Sequence, residues 1–156
     1  MSTEPRIDVG DTFPSFEIRD QTGELWTLDR LQGKRAVIYF YPKDDTPGCT
    51  VEACDFRDLS AQFAGAIVLG VSPDGMKSHE RFAQKFSLNF PLLADEGHRL
   101  AEACGLWGEK TLYGRKYMGV DRTTYLLDGE GKIERVWRKV KPTGHAAEVA
   151  AALGQS

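Results

Sequence analysis

Two of the three cysteines, Cys49 and Cys54, lie five residues apart in the stretch YPKDDTPGCTVEACDF. That spacing is wider than the CxxC of dithiol redox motifs. Two nearby thiols can react with each other, bind a metal, or pack as small apolar side chains. The histidines, His79, His98 and His145, stand apart from the cysteines and from one another. The absence of CxxC or HxxxH spacing disfavours a zinc site.

The residues before Cys49 predict the start of a helix. Thr46 suits the N-cap and Pro47 the first turn, where the missing N–H of proline costs nothing. Cys49 then lies where unpaired amides and the helix dipole favour a thiolate, and Gly48 permits close approach to the backbone. A free thiol is only about 3% ionised at neutral pH, so full ionisation raises the thiolate fraction about 30-fold. A fast reaction therefore also requires activation of the electrophile, for which Thr46, the backbone amides and a distant cation are candidates.

On one intact helix, the Cα atoms of Cys49 and Cys54 would lie about 8.6 Å apart and about 140° apart around the axis. A disulfide needs Cα atoms closer than about 7 Å. Cys49 falls on the apolar stripe, whereas Cys54 is expected to face outward or sideways. Two interpretations stay open. Either Cys54 is a small packed side chain, or it condenses with an oxidised Cys49 after the helix start unwinds.

The composition limits the class of protein. The chain has 156 residues, a net charge of −3 and no low-complexity tract, which predicts one globular domain over residues 1–156. Basic residues are scattered, so neither nucleic acid nor a membrane is an expected partner. The N-terminus lacks the pattern of a secretory signal, and three cysteines do not make a disulfide framework. A cytoplasmic location is therefore expected.

Hydrophobic patterns predict the elements that would position the cysteines. Two apolar runs, Ala36 to Pro42 and Ala66 to Ser72, are typical of buried strands. Between them an apolar stripe at helical spacing runs through Cys49, Ala53, Phe56, Ser60 and Phe63. A strand, a helix and a second strand in this order predict a parallel pair.

The remaining segments predict one α/β domain with a mixed sheet. The expected elements are helices over Lys77 to Ser87 and His98 to Cys104, a strand over Phe90 to Asp95, hairpins over 16–28 and 124–138, and a last helix with Thr143 as N-cap. Residues 106–121 have no clear period and are expected to form a long connection.

The stretch around Cys49 resembles the active-site signature of the peroxiredoxins, in particular the bacterioferritin-comigratory-protein or peroxiredoxin Q subgroup. Pro42, Thr46 and Cys49 match its Pro-x-x-x-Thr-x-x-Cys pattern, and Cys54 falls at the subgroup's second cysteine. The segments GVSPDGMKSHERFAQKF, FPLLADEGH, GLWGEK and DRTTYLLDGEGKI match in order. The resemblance covers nearly the whole chain.

The resemblance implies a role for each matching residue. Cys49 would be the peroxidatic nucleophile and Cys54 the resolving thiol that forms a disulfide with it. Thr46 would hydrogen-bond the peroxide, and Pro42 would shield the sulfur from solvent. Arg122 falls at the family's distant arginine, which stabilises the thiolate and the departing oxygen. Without the resemblance, Arg122 would be interpreted as a solvated charge.

The resemblance also implies a thioredoxin-like fold with an N-terminal hairpin and insertions. The implied activity is a thiol-dependent peroxidase for hydrogen peroxide and organic hydroperoxides, without metal, haem or flavin. Thioredoxin or a glutaredoxin-type protein would recycle the enzyme, which would be a monomer or else a dimer.

Two other classes of function compete with the peroxidase. A disulfide oxidoreductase is disfavoured because the cysteines do not form a CxxC motif. A chaperone or binding module would function without Cys49. Several other residues receive structural interpretations: Cys104 as a packed thiol, Glu52 as a favourable charge near the helix start, Asp44 and Asp45 as solvated, and Trp107, Tyr113 and Tyr117 as packing residues.

Overall fold

A computed structural model describes residues 6–154 of the chain. Its strands are β1 (Glu17–Arg19), β2 (Leu25–Thr27), β3 (Arg35–Phe40), β4 (Ala66–Ser72), β5 (Leu92–Ala94), β6 (Trp107–Leu112), β7 (Arg115–Val120), β8 (Thr123–Leu127) and β9 (Ile133–Arg138). Its α-helices are α1 (Pro47–Asp58), α2 (Met76–Phe86), α3 (Arg99–Ala103) and α4 (His145–Leu153). Short 3-10 turns span Leu28–Leu31 and Ser60–Phe63.

The central sheet has five strands in the order β5, β4, β3, β8, β9. β3 pairs with β4 in parallel and with β8 in antiparallel orientation. This confirms the predicted parallel pair, the mixed sheet and the thioredoxin-like class of fold. β1 and β2 form the predicted N-terminal hairpin, and β8 and β9 form the second one.

Both faces of the sheet are covered, because successive side chains of β3 point to opposite sides. Ile38 and Phe40 belong to one apolar cluster, which also contains Cys104. Val37 and Tyr39 belong to the other, which includes the apolar side of α1. The near-continuous apolar run in β3 is therefore that of a strand buried on both faces.

Register in the sheet brings distant residues to the start of α1. Phe40, the last residue of β3, pairs with Thr123, the first residue of β8. Arg122, one residue before β8, therefore lies at the edge where the chain leaves β3 and enters α1. The antiparallel pairing brings Arg122 close to Cys49, although 73 sequence positions separate the two residues.

α1 begins as the sequence predicts, with Thr46 at the N-cap and Pro47 in the first turn. The Thr46 hydroxyl does not cap the helix and instead donates to the Lys43 carbonyl at 2.9 Å. The predicted apolar stripe ends early, since α1 stops at Asp58 and Ser60 is exposed. Phe63 stays buried because the 3-10 turn returns it to the core.

Two sequence predictions about elements were wrong. Residues 106–121 contain the antiparallel hairpin β6 and β7 rather than an irregular connection. Most side chains of β7 face solvent, so no apolar alternation marks the strand. The N-cap of α4 is Gly144 in a left-handed conformation (φ 79°), not Thr143. A left-handed residue favours glycine, which explains the shift by one position.

Candidate active site

Cys49 and Arg122 are in direct contact. Arg122 Nη2 donates to Cys49 Sγ at 3.0 Å, and Cys49 is buried with 1% of its surface exposed. Cys49 also lies in the first turn of α1, whose amide groups carry the positive end of the helix dipole. The sulfur therefore lies beside both a permanent cation and the N-terminal end of a helix.

Gly48 makes the approach of the arginine possible. A Cβ atom at this position would lie 3.1 Å from Arg122 Nη2 and 3.2 Å from Pro142 Cγ. The sequence interpretation was that Gly48 lets another molecule approach the backbone closely, whereas here two side chains of the same chain make that approach. A larger residue would displace the guanidinium from the sulfur.

Glu52 holds the second arm of the arginine. Arg122 Nη1 donates to Glu52 Oε1 at 3.1 Å, and the Glu52 side chain is buried. Within residues 6–154, Glu52 Oε2 has no hydrogen-bond partner. Burial raises the pKa of Glu52 to about 7, although the attraction of Arg122 opposes the rise. The sequence interpretation gave Glu52 only a helix-stabilising role, whereas the structure places it on the buried side of α1 in contact with Arg122. The sequence carried one signal for this contact. Glu52 follows Cys49 by three positions, so the two residues lie on the same helix face.

Pro42 and Thr46 lie in the loop that leads from β3 to Cys49. The Thr46 hydroxyl hydrogen is directed to the Lys43 carbonyl, so its oxygen keeps lone pairs that can accept a hydrogen bond. Pro42 and Arg122 both line an open cavity of about 390 Å³, together with Tyr117 and Val140. The cavity gives a small ligand a route to the guanidinium that contacts Cys49.

Comparisons with known proteins show the family to which the chain belongs. The AhpC/TSA family model matches residues 9–136. Peroxiredoxin Bcp of Bacillus subtilis is 48% identical over 144 residues, covering 91% of this chain and 92% of the relative. Peroxiredoxin Bcp of Escherichia coli is 46% identical over 141 residues, with coverage of 89% and 90%. The chain belongs to the peroxiredoxins of the AhpC/TSA family.

A solved structure extends the comparison to the fold. The bacterioferritin comigratory protein of Xanthomonas campestris, described with an alkyl peroxide reduction activity, superposes with a TM-score of 0.86. It is 43% identical, and the match covers 96% of each chain. The resemblance drawn from the sequence is thereby confirmed, and this peroxiredoxin is a thiol-dependent peroxidase.

The other two thiols of the peroxiredoxin differ in accessibility. Cys54 is partly exposed on α1, as the helix geometry predicts, and all three cysteines are free. Cys104 is fully buried at the end of α3, which confirms that it packs in the core. Burial raises the pKa of the Cys104 thiol well above its ordinary value.

In the native peroxiredoxin, the partly exposed Cys54 is expected to be alkylated and the buried Cys104 is expected to resist alkylation. The thiolate is the reactive form, and Cys104 is both buried and held in the thiol form. Peptide mass spectrometry after limited iodoacetamide treatment measures the order. Cys104→Ala is the matched control and should retain full peroxidase activity. Rapid labelling of Cys104 in the folded protein would contradict its place in the core.

Three further sequence interpretations need correction. Asp44 is buried rather than solvated, and it contacts the buried His79, while Asp45 is exposed as expected. Tyr113 is 96% exposed and does not pack, and Tyr117 is 47% exposed and lines the cavity beside Arg122. Trp107 does pack, by stacking on His98 with ring centroids 3.8 Å apart.

Proposed function

We propose that Cys49 is the peroxidatic nucleophile of this peroxiredoxin and that Arg122 activates both the thiol and the peroxide. One observation carries the proposal: the guanidinium donates at once to Cys49 Sγ and to the buried carboxylate of Glu52. The carboxylate fixes the plane of the guanidinium, so its charge and its remaining donors stay beside the sulfur. Such preorganised donors stabilise charge where it develops in a transition state.

In the first step, the Cys49 thiolate attacks one oxygen of the peroxide. A sulfur–oxygen bond forms, the O–O bond breaks, and the leaving oxygen departs as water or an alcohol after taking one proton. The sulfur is oxidised to a sulfenic acid. Arg122 and the first-turn amide of Cys49 stabilise the departing oxygen, and the Thr46 oxygen accepts a hydrogen bond from the peroxide. Pro42 shields the sulfur from bulk water.

In the second step, Cys54 resolves the sulfenic acid. The Cys54 sulfur attacks the Cys49 sulfur, a disulfide forms, and the sulfenic oxygen leaves as water. Because five helical positions separate the two Cα atoms by about 8.6 Å, the first turns of α1 must unwind before this bond forms. The partial exposure of Cys54 keeps it near solvent and near the reductant.

Both hydrogen peroxide and organic hydroperoxides are proposed substrates. The cavity beside Arg122 is open, and its lining includes the apolar side chains of Tyr117, Val120 and Val140 as well as charged ones such as Lys110 and Lys139. These apolar side chains suit an alkyl group, while the O–O bond lies against the guanidinium. The alkyl peroxide reduction described for the Xanthomonas relative supports the same substrate class.

A dithiol protein of the thioredoxin or glutaredoxin type would reopen the disulfide by thiol exchange. Since both cysteines lie in α1 of one chain, the cycle needs no second subunit, which supports a working monomer over a dimer.

Free thiols and a dithiol reductant require a reducing compartment, and we propose the cytoplasm. Within residues 6–154, no helix is long and apolar enough to cross a membrane. The relatives match about nine tenths of the chain, which supports one domain over residues 1–156.

Peroxide-treated protein, digested without reductant, is expected to yield one crosslinked peptide that joins Cys49 to Cys54. Mass spectrometry identifies it, and Cys104→Ala should give the same product. Cys54→Ser is expected to consume one equivalent of peroxide and then stall as a sulfenic acid that dimedone traps. The intramolecular mechanism would be wrong if Cys54→Ser cycled normally with thioredoxin. It would also be wrong if Cys49 and Cys54 were both free thiols after turnover of the unmodified protein.

A further inference from the structure

The loop from Pro42 to Thr46 contributes one residue to a buried polar cluster. At its centre is Asp44, whose side chain is 3% exposed. Asp44 Oδ1 accepts from the Tyr41 hydroxyl at 2.6 Å, and Oδ2 accepts from the Ser78 hydroxyl at 2.8 Å. His79 Nδ1 lies 2.6 Å from the same Oδ2, and the His79 side chain is fully buried.

The partners of His79 determine where its protons lie. Nε2 is 2.9 Å from the Leu93 carbonyl, which can only accept, so Nε2 carries a hydrogen. A second proton must lie between Nδ1 and Asp44 Oδ2, because two lone pairs would repel at 2.6 Å. Both ring nitrogens of His79 are thus held by hydrogen bonds, Nδ1 by the loop residue Asp44 and Nε2 by β5.

The cluster ties the loop to three strands and a helix. Tyr41 directly follows β3, Leu93 belongs to β5, and Ser78 and His79 belong to α2. The Asp44 amide also donates to Asp74 Oδ2 at 2.7 Å, and Asp74 accepts from the Ser72 hydroxyl at the end of β4. A loop residue anchored at this many points has little freedom to move relative to the sheet.

The anchored residue stands midway between the two loop residues that face the thiol. Pro42 precedes Asp44 by two positions and Thr46 follows it by two. Asp45, between Asp44 and Thr46, has a left-handed backbone (φ 57°), which is costly for a residue other than glycine. The surrounding structure must hold this turn, and the buried side chain of Asp44 provides the attachment.

Asp44, Asp74 and His79 also have the composition of a cation site, since their donor atoms lie within 4.8 Å of one another. The contacts argue against that use. His79 and Asp44 bond directly to each other, and Asp74 is occupied by the Asp44 amide and the Ser72 hydroxyl. The atoms that could bind a cation are already engaged in hydrogen bonds within the protein, so the cluster is a hydrogen-bond network.

We propose that the Asp44 and His79 pair is a positioning device for the reaction with peroxide: it fixes the loop from Pro42 to Thr46 so that the Thr46 hydroxyl and the Pro42 ring meet the peroxide beside Cys49. The inference rests on the proposed roles of Cys49 and Thr46. Neither Asp44 nor His79 touches the reacting atoms. Their effect passes through the backbone of the loop.

The proposal predicts a selective loss in Asp44→Ala. The second-order rate constant for oxidation of Cys49, measured by stopped-flow fluorescence with hydrogen peroxide, should fall about 10²-fold, the cost of a misplaced contact. Reduction of the disulfide by dithiothreitol should keep its wild-type rate, because that step does not use the Thr46 hydroxyl. A residue that only supports folding would leave both rates unchanged and lower only the melting temperature.

Asp44→Asn is the conservative variant. Its amide oxygen can accept from Tyr41, and its NH₂ group can donate to Nδ1 of a neutral His79, which still donates from Nε2 to Leu93. Most of the oxidation rate should therefore return. ¹⁵N NMR should show that Nε2 of His79 keeps its hydrogen in Asp44→Asn, because that nitrogen still donates to the Leu93 carbonyl.

Two matched controls separate positioning from stability and from charge. Asp20 is another buried aspartate with several donors, including Trp26 Nε1 at 2.9 Å, but it lies at the β1–β2 hairpin. Asp20→Ala should lower the melting temperature and leave the oxidation rate unchanged. Asp45→Asn makes the same change of charge at the neighbouring exposed position and should also leave the rate unchanged.

Three results would overturn the proposal: a wild-type oxidation rate in Asp44→Ala, an equal loss in Asp44→Asn, or the same loss in Asp20→Ala. Thr46→Val, measured in parallel, distinguishes a failure of the underlying site. If Thr46→Val reacts at the wild-type rate, the proposed peroxide contact is wrong. If Thr46→Val is slow and Asp44→Ala is fast, only the positioning role is wrong.

Discussion

Replacing Arg122 with methionine is expected to lower the second-order rate constant for oxidation of Cys49 by hydrogen peroxide about 10²- to 10³-fold. Methionine keeps much of the length of the side chain but removes the donor at 3.0 Å from Cys49 Sγ. The thiolate then loses its adjacent cation, and the departing oxygen loses a preorganised donor. Stopped-flow kinetics of the reduced protein measure the effect, with Cys49→Ser as the baseline without reaction.

The control must account for Glu52, which Arg122→Met would leave buried without its cation. Removing one partner of a buried pair is strongly destabilising. The double variant Arg122→Met with Glu52→Gln avoids that charge and should lose the same catalytic factor while remaining folded. Arg122→Lys retains the charge without the fork that reaches Cys49 and Glu52 together, so it should recover only part of the rate. A double variant that reacts at the wild-type rate would exclude Arg122 from the chemistry.

Local sequence patterns predicted the elements that bury apolar surface. β3, β4 and the start of α1 follow from continuous apolar runs, helical spacing and the Thr-Pro pair at the helix start. The hairpin of β6 and β7 was not predicted, because most side chains of β7 are exposed and show no apolar alternation. The turn of this hairpin consists of Tyr113 and Gly114, which have φ of 52° and 77°. A glycine at the turn was the remaining signal in the sequence.

Contacts between distant parts of the chain could not be predicted from local patterns. Arg122 reaches Cys49 only because β8 pairs with β3, and that register depends on the whole sheet. Asp44 was interpreted as solvated, as charged residues usually are, and Glu52 only as a charge that favours the helix dipole. Each is buried because a partner from another element, His79 or Arg122, faces it. The family resemblance supplied Arg122 but neither of these carboxylates.

The burial of Glu52 couples the opening of α1 to pH. Its buried carboxyl contacts Arg122, and burial is the main cause of its raised pKa, to which the charge of Asp55 on the same helix adds. In the opened helix the side chain meets water and its pKa returns towards 4.5. The closed helix thus binds the Glu52 proton more tightly than the opened helix does. Closed α1 is favoured below about pH 4.5 and loses that advantage as the pH rises towards 7.

Glu52→Gln is therefore expected to hold α1 closed at neutral pH. The difference between the two pKa values corresponds to about 3 kcal/mol, a factor of about 10² in the opening equilibrium. Glutamine resembles the protonated acid and can still accept from Arg122. Hydrogen exchange of the reduced protein should show protection of the amides from Cys49 to Asp55 increased about 10²-fold at pH 7 and no longer falling between pH 4.5 and 7.

The same variant should form its disulfide more slowly, because Cys54 reaches Cys49 only when α1 opens. A longer-lived sulfenic acid meets more peroxide, so Glu52→Gln should accumulate sulfinic acid at Cys49, which intact-mass spectrometry detects. Asp58→Asn removes a carboxylate from the exposed end of the same helix and should change neither the protection nor the oxidation product. If Glu52→Gln kept the wild-type dependence of protection on pH, the buried carboxyl would not be the group that opens the helix.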